Sequence, residues 1–521
     1  MRFGILAAAF VAWLSAVPAH AAWLEASSDH FVIYANDTEK DVTRFAQQLE
    51  RYHAGMALVL GQTAVKPSPS NRVTVYVVKN EREVRDLHGG DNKFVGGFYL
   101  PRAEGSLAIV PAVQAANGPV TWSMVVLLHE YAHHFQISAN AMPMPRWFTE
   151  GSAEFFASSK FESDGSLWLG RPANHRAGEL YYARDVKVAD LLDPTDYDKR
   201  KHESYDAFYG KSWLLYHYLT FNDGRKGQFT RYITLLGEGK GQREAATEAF
   251  GDFNVLEKEL DRYLAQRRMT ALTLKPEGLK IGPVALRPLT AGEAAMMPVR
   301  IRSKRGVTDE EAKELLVEAR SVAAKFPEDP AVLAALAESE YDAGNDKEAI
   351  AAADAAIKRD PAQTNAYVQK GYALFRKAEE AGGDYEARAA AYKAARAPFI
   401  ALNRIENDHP LPLIYFYRSF VEQGDAPPPL AINGLIRAVQ LAPFDLGVRM
   451  TLGSALVRLG RTEEARWALT PIANNPHRGG FADYAHRMIE RMDKDPAWRG
   501  EDMDPPAEDE AAEDKVRVGP A

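Results

Sequence analysis

The chain has 521 residues, 63 Lys and Arg against 71 Asp and Glu, a net charge of −8 and no cysteine. The missing cysteines exclude disulfides and a lipid-modified N-terminal Cys, and the mild acidity offers nothing to a nucleic acid. The length allows two or three domains, and no stretch beyond the start is long and apolar enough to span a bilayer.

Residues 1–21 predict a cleavable secretory signal: Arg2, an apolar run from Phe3 to Val17, then Ala19-His20-Ala21 before a cut at Ala22. The mature chain is expected to be soluble, in a bacterial periplasm or outside the cell, with no membrane span. From Trp23 to Pro119 strand and helix patterns alternate. His30–Tyr34 and Arg72–Val78 read as strands, Lys40–Leu60 as an amphipathic helix, and Arg82–Leu87 as a short helix. Gly96–Leu100 and Ser106–Val110 read as a strand pair around Pro101–Gly105, completing a small mixed sheet.

The apolar segment Trp122–Phe135 contains no Pro or Gly and carries His129-Glu130-Tyr131-Ala132-His133, an HExxH pattern. Residues four apart share one helix face, so both imidazoles can reach one metal ion, with Glu130 placed to take a proton from its water. Neutral imidazole suits Zn²⁺, and a catalytic zinc takes three protein ligands and leaves one position open. His134 points about 100° away from His133 and is expected to have a plain structural role. The plain reading of the pair itself is two satisfied histidines on an amphipathic helix.

The third ligand lies elsewhere. A metzincin is excluded, because Gln136 and Ala139 stand where that pattern needs Gly and His. The next apolar segment, Arg146–Ala157, carries Glu150 and Glu154, again four apart and on one face of a second helix. The WFTEGSAEFF sequence resembles the gluzincins, the group of thermolysin and aminopeptidase N. That resemblance implies Glu150 as the third zinc ligand, on a connection about two residues shorter than in the aminopeptidases. It implies Glu154 as the carboxylate that accepts a hydrogen bond from the outer nitrogen of the first His and fixes its tautomer. It also implies that the sheet edge beside this helix pairs with substrate backbone, which selects Ser106–Val110. The G-x-M-E-N loop of aminopeptidases is absent, so exopeptidase action is not implied.

Ser158–Arg200 is polar and turn-rich, one wall of a cleft; His175 there is a candidate substrate contact, against the ordinary reading of a solvated loop histidine. Ser204–Trp213 then resembles the Y-x-K-G segment of aminopeptidase-type gluzincins, which places on Tyr209 the hydrogen bond to the tetrahedral oxyanion. Ser212 stands where those enzymes have Gly. The plain alternative is an aromatic core stripe of Tyr205, Phe208, Tyr209 and Tyr216. Helical patterns through Asn254–Arg268 close a first domain at residues 22–268.

Residues 269–307, with several Pro and Gly, read as a linker with short strands such as Leu279–Leu286. From Thr308 the chain is Ala-rich and helical, and Pro327 and Pro361 stand 34 residues apart, each opening a helix pair. This resembles the tetratricopeptide repeat, and Met450–Pro476 is a second clear copy. Tyr367–Leu441 between them is helical but irregular. Stacked repeats over 308–491 would form a curved surface for a protein or peptide partner. From Asp493 onward ten acidic and four basic residues sit among Pro and Ala, so 492–521 is expected to be a disordered acidic tail.

The sequence therefore predicts an α+β protein: an N-terminal gluzincin-like zinc peptidase domain with a small mixed sheet, then an all-α TPR-like solenoid. The expected function is hydrolysis of peptide or protein substrates, with His129, His133 and Glu150 on Zn²⁺, Glu130 as general base and Tyr209 on the oxyanion. Two other readings compete: a non-catalytic interaction scaffold built on the repeats, and a zinc hydrolase acting on a non-peptide bond.

Overall fold

The computed structural model describes residues 23–501 and 503, apart from 64, 90–94, 113–116, 140–143, 184, 196, 198–206, 382–383 and 476–479. The expected signal segment and residues 504–521 of the expected tail lie outside the described residues.

Among the described residues, ten strands form two sheets: β1 (Trp23–Ser27), β2 (Phe31–Asn36), β3 (Val73–Val77), β4 (Phe98–Leu100), β5 (Leu107–Val110), β6 (Gly118–Pro119), β7 (Lys160–Phe161), β8 (Leu167–Leu169), β9 (Leu272–Leu274) and β10 (Ala285–Pro288). The first sheet is mixed, in the order β10-β1-β2-β3-β5-β4, and the second runs β6-β7-β8-β9. β2, β3 and β5 are parallel; β4 returns antiparallel to β5 with Phe98 opposite Ile109. Both faces of the first sheet are covered, so its strands are apolar on both sides and the period-2 alternation assigns residues to two cores. Ile33, Ala35, Val75, Val77, Tyr99, Ala108 and Val110 face the main core, which holds the helices Glu39–Val59 and Trp122–Ala139. Val32, Tyr34, Tyr76, Phe98, Leu100, Leu107 and Ile109 face a second core with Val84, Leu87, Met297 and Ile301.

The sheet order corrects one expectation. Ser106–Val110 is not the edge: β5 is bonded on both sides, and β4 takes the edge position. Strand order within a sheet is set by tertiary pairing, which local alternation cannot encode.

The segment 269–307 does more than connect. Its β9 completes the second sheet, β10 pairs antiparallel with β1, and Ala291–Arg305 is a helix. Thr290 caps that helix, accepting from the Glu293 N–H while the Glu293 carboxylate accepts from the Thr290 N–H. Met297 and Ile301 reach the sheet, whereas Met296 and Val299 pack with Leu315 and Val332 of the following helices. One helix thus belongs to both halves of the molecule.

The C-terminal half is an array of helices running from Asp309–Lys325 to Gly480–Lys494, successive helices packing in pairs. Its pairs close tightly where small residues meet large ones: a Cβ on Gly371 would enter the Phe399 ring, and one on Gly453 would enter the Leu469 side chain. The stretch Tyr367–Leu441, expected to be helical but irregular, is helical, with helices of unequal length such as Tyr385–Ile405 (21 residues) and Pro410–Gln423 (14 residues). The expected tail is also structured at its start, because Trp498 is buried in the array core and donates from Nε1 to the Glu501 carbonyl. A single aromatic carries that contact, too weak a pattern to register in an acidic composition. Among the described residues, no helix is long and apolar enough to cross a membrane.

Candidate metal centre

The HExxH helix, Trp122–Ala139, is buried along nearly its whole length and is held from behind by the helix Glu39–Val59. Tyr52 donates from its hydroxyl to the Leu128 carbonyl at 2.9 Å, and His53 Nδ1 lies 2.7 Å from the Tyr131 hydroxyl. The glutamate helix, Arg146–Ala157, packs against it and against the tyrosine helix, Phe208–Phe221. Gly151 permits the second approach: a Cβ there would stand 2.5 Å from the Ser212 carbonyl oxygen. The residue after Glu150 must therefore lack a side chain if the two helices are to touch.

Three side chains converge. Among the described residues, His129, His133 and Glu150 have ligand atoms all within 4.8 Å of one another. The two Nε2 atoms are 3.1 Å apart, and Glu150 Oε2 is 3.3 Å from each. Tetrahedral zinc with ligands at about 2.0–2.1 Å separates its ligand atoms by about 3.3–3.4 Å. The triangle thus already has nearly the dimensions that ion requires, and its donors, two imidazoles and a carboxylate, are those zinc accepts. Burial works against a charged His129, but Glu150 and Glu154 outweigh it and raise the ring to about 10.

Glu154 lies one turn beyond Glu150, with Oε1 3.2 Å from His129 Nδ1. Burial favours its acid form, yet Arg176, His175 and His129 hold the carboxyl well below its ordinary range. Arg176 donates to Glu154 Oε1 from Nε at 3.0 Å and Nη2 at 2.6 Å, and its Nη1 donates to Glu179 at 2.9 Å. Glu179 in turn accepts from the Gly210 N–H at 3.1 Å. A chain of charge-assisted bonds therefore links His129 to the backbone beside Tyr209. His175, a candidate substrate contact weighed against a solvated loop histidine, is largely buried and places Nε2 2.5 Å from Glu154 Oε2.

Tyr209 stands with its ring centroid 6.2 Å from that of His129, and the Arg176 guanidinium lies 4.9 Å from its centre. Burial and Glu150 push the phenol up despite Arg146 and Arg176, so Tyr209 stays a hydrogen-bond donor. Arg146 is four residues before Glu150 on the same stripe and sits 4.3 Å over the Phe208 ring. Glu130 is buried, and burial above all holds the nearby Tyr99 phenol of β4 in its protonated form. The structure thus gathers His129, His133, Glu150, Glu154, Glu130 and Tyr209 into one region. Sequence reading missed Arg146, Arg176, Glu179 and Tyr99. Arg176 and Glu179, three apart in a turn-rich stretch, look like an ordinary surface pair until the fold buries them.

No family model matches this chain, and neither does any curated protein. Solved structures resembling it include a thermophilic TPR protein from Thermus thermophilus, at 17% identity and a TM-score of 0.33, covering 38% of this chain and 100% of that one. Another is described as a MamA RS-1 ArsTM double mutant, at 17% identity and a TM-score of 0.27, covering 38% of this chain and 97% of that one. The chain is bipartite, a mixed-sheet N-terminal half followed by an array of paired helices.

Proposed function

We propose that the chain is a zinc-dependent metallopeptidase, exported from the cell, whose N-terminal half performs hydrolysis. The observation that carries this reading is the triangle of His129 Nε2, His133 Nε2 and Glu150 Oε2, with sides of 3.1–3.3 Å. Zinc held there would polarise the scissile carbonyl and acidify the attacking water. Glu130 takes the water proton and passes it to the leaving amine, a role that contributes about 10²–10⁴-fold. Tyr209 donates to the oxygen on which charge develops, which is worth roughly 3 kcal/mol when the donor is fixed in advance. Glu154 orients His129, and Arg176 keeps Glu154 ionised.

Of the first sheet's two edge strands, β10 and β4, it is β4 that packs against the HExxH helix, and β4 is assigned to pair with an extended peptide. The test is Glu130→Gln in zinc-loaded protein, assayed on casein and on short amide and ester substrates. The expected result is one zinc per chain in both proteins and loss of peptide hydrolysis in the variant. A Gln variant as active as wild type would refute the mechanism. Zinc-loaded wild type that cleaves neither peptides nor esters would favour the scaffold reading, for which a TPR-like array is a suitable platform.

A further inference from the structure

The turn between β4 and β5 leaves the sheet and enters the helical array. Ala103 is 3% exposed and belongs to the array's core, although it comes from the N-terminal half. Its N–H donates to Asp445 Oδ2 at 2.8 Å, while Asp445 Oδ1 caps its own helix by accepting from the Val448 N–H at 2.9 Å. Glu104 accepts from the Tyr372 hydroxyl at 3.0 Å, and Arg102 lies 3.5 Å from the same carboxylate. Arg102 also donates to the carbonyls of Lys304 and Arg305 at 2.8 and 3.1 Å, placing a cation at the C-terminal end of the helix Ala291–Arg305. Farther along, Glu406 accepts from the Ser70 N–H and hydroxyl at 2.9 and 2.6 Å, just before β3.

The same region of the array reaches the metal helix. His134, next to the ligand His133, has its ring centroid 4.5 Å from that of Phe444, the residue before Asp445. Its Nδ1 lies 2.5 Å from the hydroxyl of Tyr99 on β4. Phe444 and Asp445 therefore touch both the HExxH helix and the turn that ends the edge strand. An edge strand is bonded on one side only, so its outer position depends on what grips its ends.

We propose that this face of the array is a receptor for residues 101–105 of the same chain, and that Phe444, Asp445 and Tyr372 are positioning residues that set strand β4 and the HExxH helix for the metal site. The inference rests on the reading of His129, His133 and Glu150 as a metal centre. It assigns this face an internal partner, the turn of residues 101–105, which carries both Arg102 and Glu104. Each array residue has a separate grip: Asp445 holds the backbone, Tyr372 holds the Glu104 carboxylate, and Phe444 backs the His134 ring.

The test uses the full chain with Tyr372→Phe, which removes one hydroxyl, and Phe444→Ala. Leu435→Ala serves as control, since Leu435 is buried in the array core. Three readouts are compared: the visible spectrum of the cobalt(II)-substituted site, zinc affinity, and hydrogen exchange over residues 98–105 and 127–138. Both interface variants should change the cobalt spectrum, weaken zinc by about three- to tenfold and speed exchange in both segments. Leu435→Ala should lower the unfolding temperature and leave the spectrum as in wild type. Folded interface variants with unchanged exchange and, where cobalt binds, an unchanged spectrum would overturn the proposal. A wild-type protein that binds neither cobalt nor zinc would sink the metal reading, and the exchange comparison would then decide the positioning claim alone.

Discussion

Gly151→Ala should disable the site without touching a ligand. The new Cβ would stand 2.5 Å from the Ser212 carbonyl oxygen, 2.8 Å from its carbon and 3.2 Å from Tyr216 Cβ, where ordinary contact begins at 3.4 Å. The nearest atoms are backbone, so no rotamer change can relieve the clash. The glutamate and tyrosine helices must therefore separate by up to about 0.9 Å, at a typical overpacking cost of about 1–3 kcal/mol. Glu150 and Tyr209 ride on opposite sides of that contact and move apart. Metal sites tolerate errors of about 0.2 Å in ligand distance, so zinc affinity should fall at least about tenfold. Thermal unfolding of zinc-loaded and stripped protein, with a zinc titration, reads both effects; the unfolding midpoint should drop by a few to about 10 °C. Gly241→Ala, whose Cβ would meet nothing within 4 Å, should change stability by no more than about 0.5 kcal/mol. A Gly151→Ala protein that melts and binds zinc like wild type would refute the close-packing argument.

Other outcomes follow from named contacts. Arg176→Gln leaves the Glu154 and Glu179 carboxylates without their shared guanidinium; breaking such a buried pair should cost about 3–5 kcal/mol in chemical denaturation, and an unchanged midpoint would contradict it. Asp342 is raised to about 7 by burial and by Glu338. Its folded-state affinity for the proton exceeds that of the unfolded chain, so its stabilising contribution is complete below about pH 4 and declines as pH rises to about 7, with a ceiling of about 4 kcal/mol. Asp342→Asn, which keeps an acceptor for the Ser303 hydroxyl, should flatten stability between pH 4 and 8; an equally steep profile would exclude Asp342 as its source.

Much of this was legible in the chain because it depends on short periods. The alternation in β2 and β3 and the four-residue spacings of His129 to His133 and Glu150 to Glu154 are local. They survive into the structure because helices and strands impose those periods. What escaped depends on long-range placement. β4 rather than β5 lies at the edge, because pairing order is a tertiary property. The helix Ala291–Arg305 contains Pro298 and follows a run of Pro and Gly, so its pattern reads as a connector. Two packing partners override the proline's cost. His134 looked incidental because its role is fixed by Tyr99 and Phe444, one 35 residues and the other 310 residues away along the chain.

The pairing of β1 with β10 bears on how the molecule is made. The first strand, Trp23–Ser27, finds β2 at once, yet its other edge waits for Ala285–Pro288. A ribosome must add about 260 residues before that edge closes, at roughly 5–20 residues per second. During that interval the nascent chain exposes an unpaired strand, the kind of template on which other chains aggregate. Newly made protein should therefore depend most on chaperones at its N-terminal end, even though that end is the first to be synthesised.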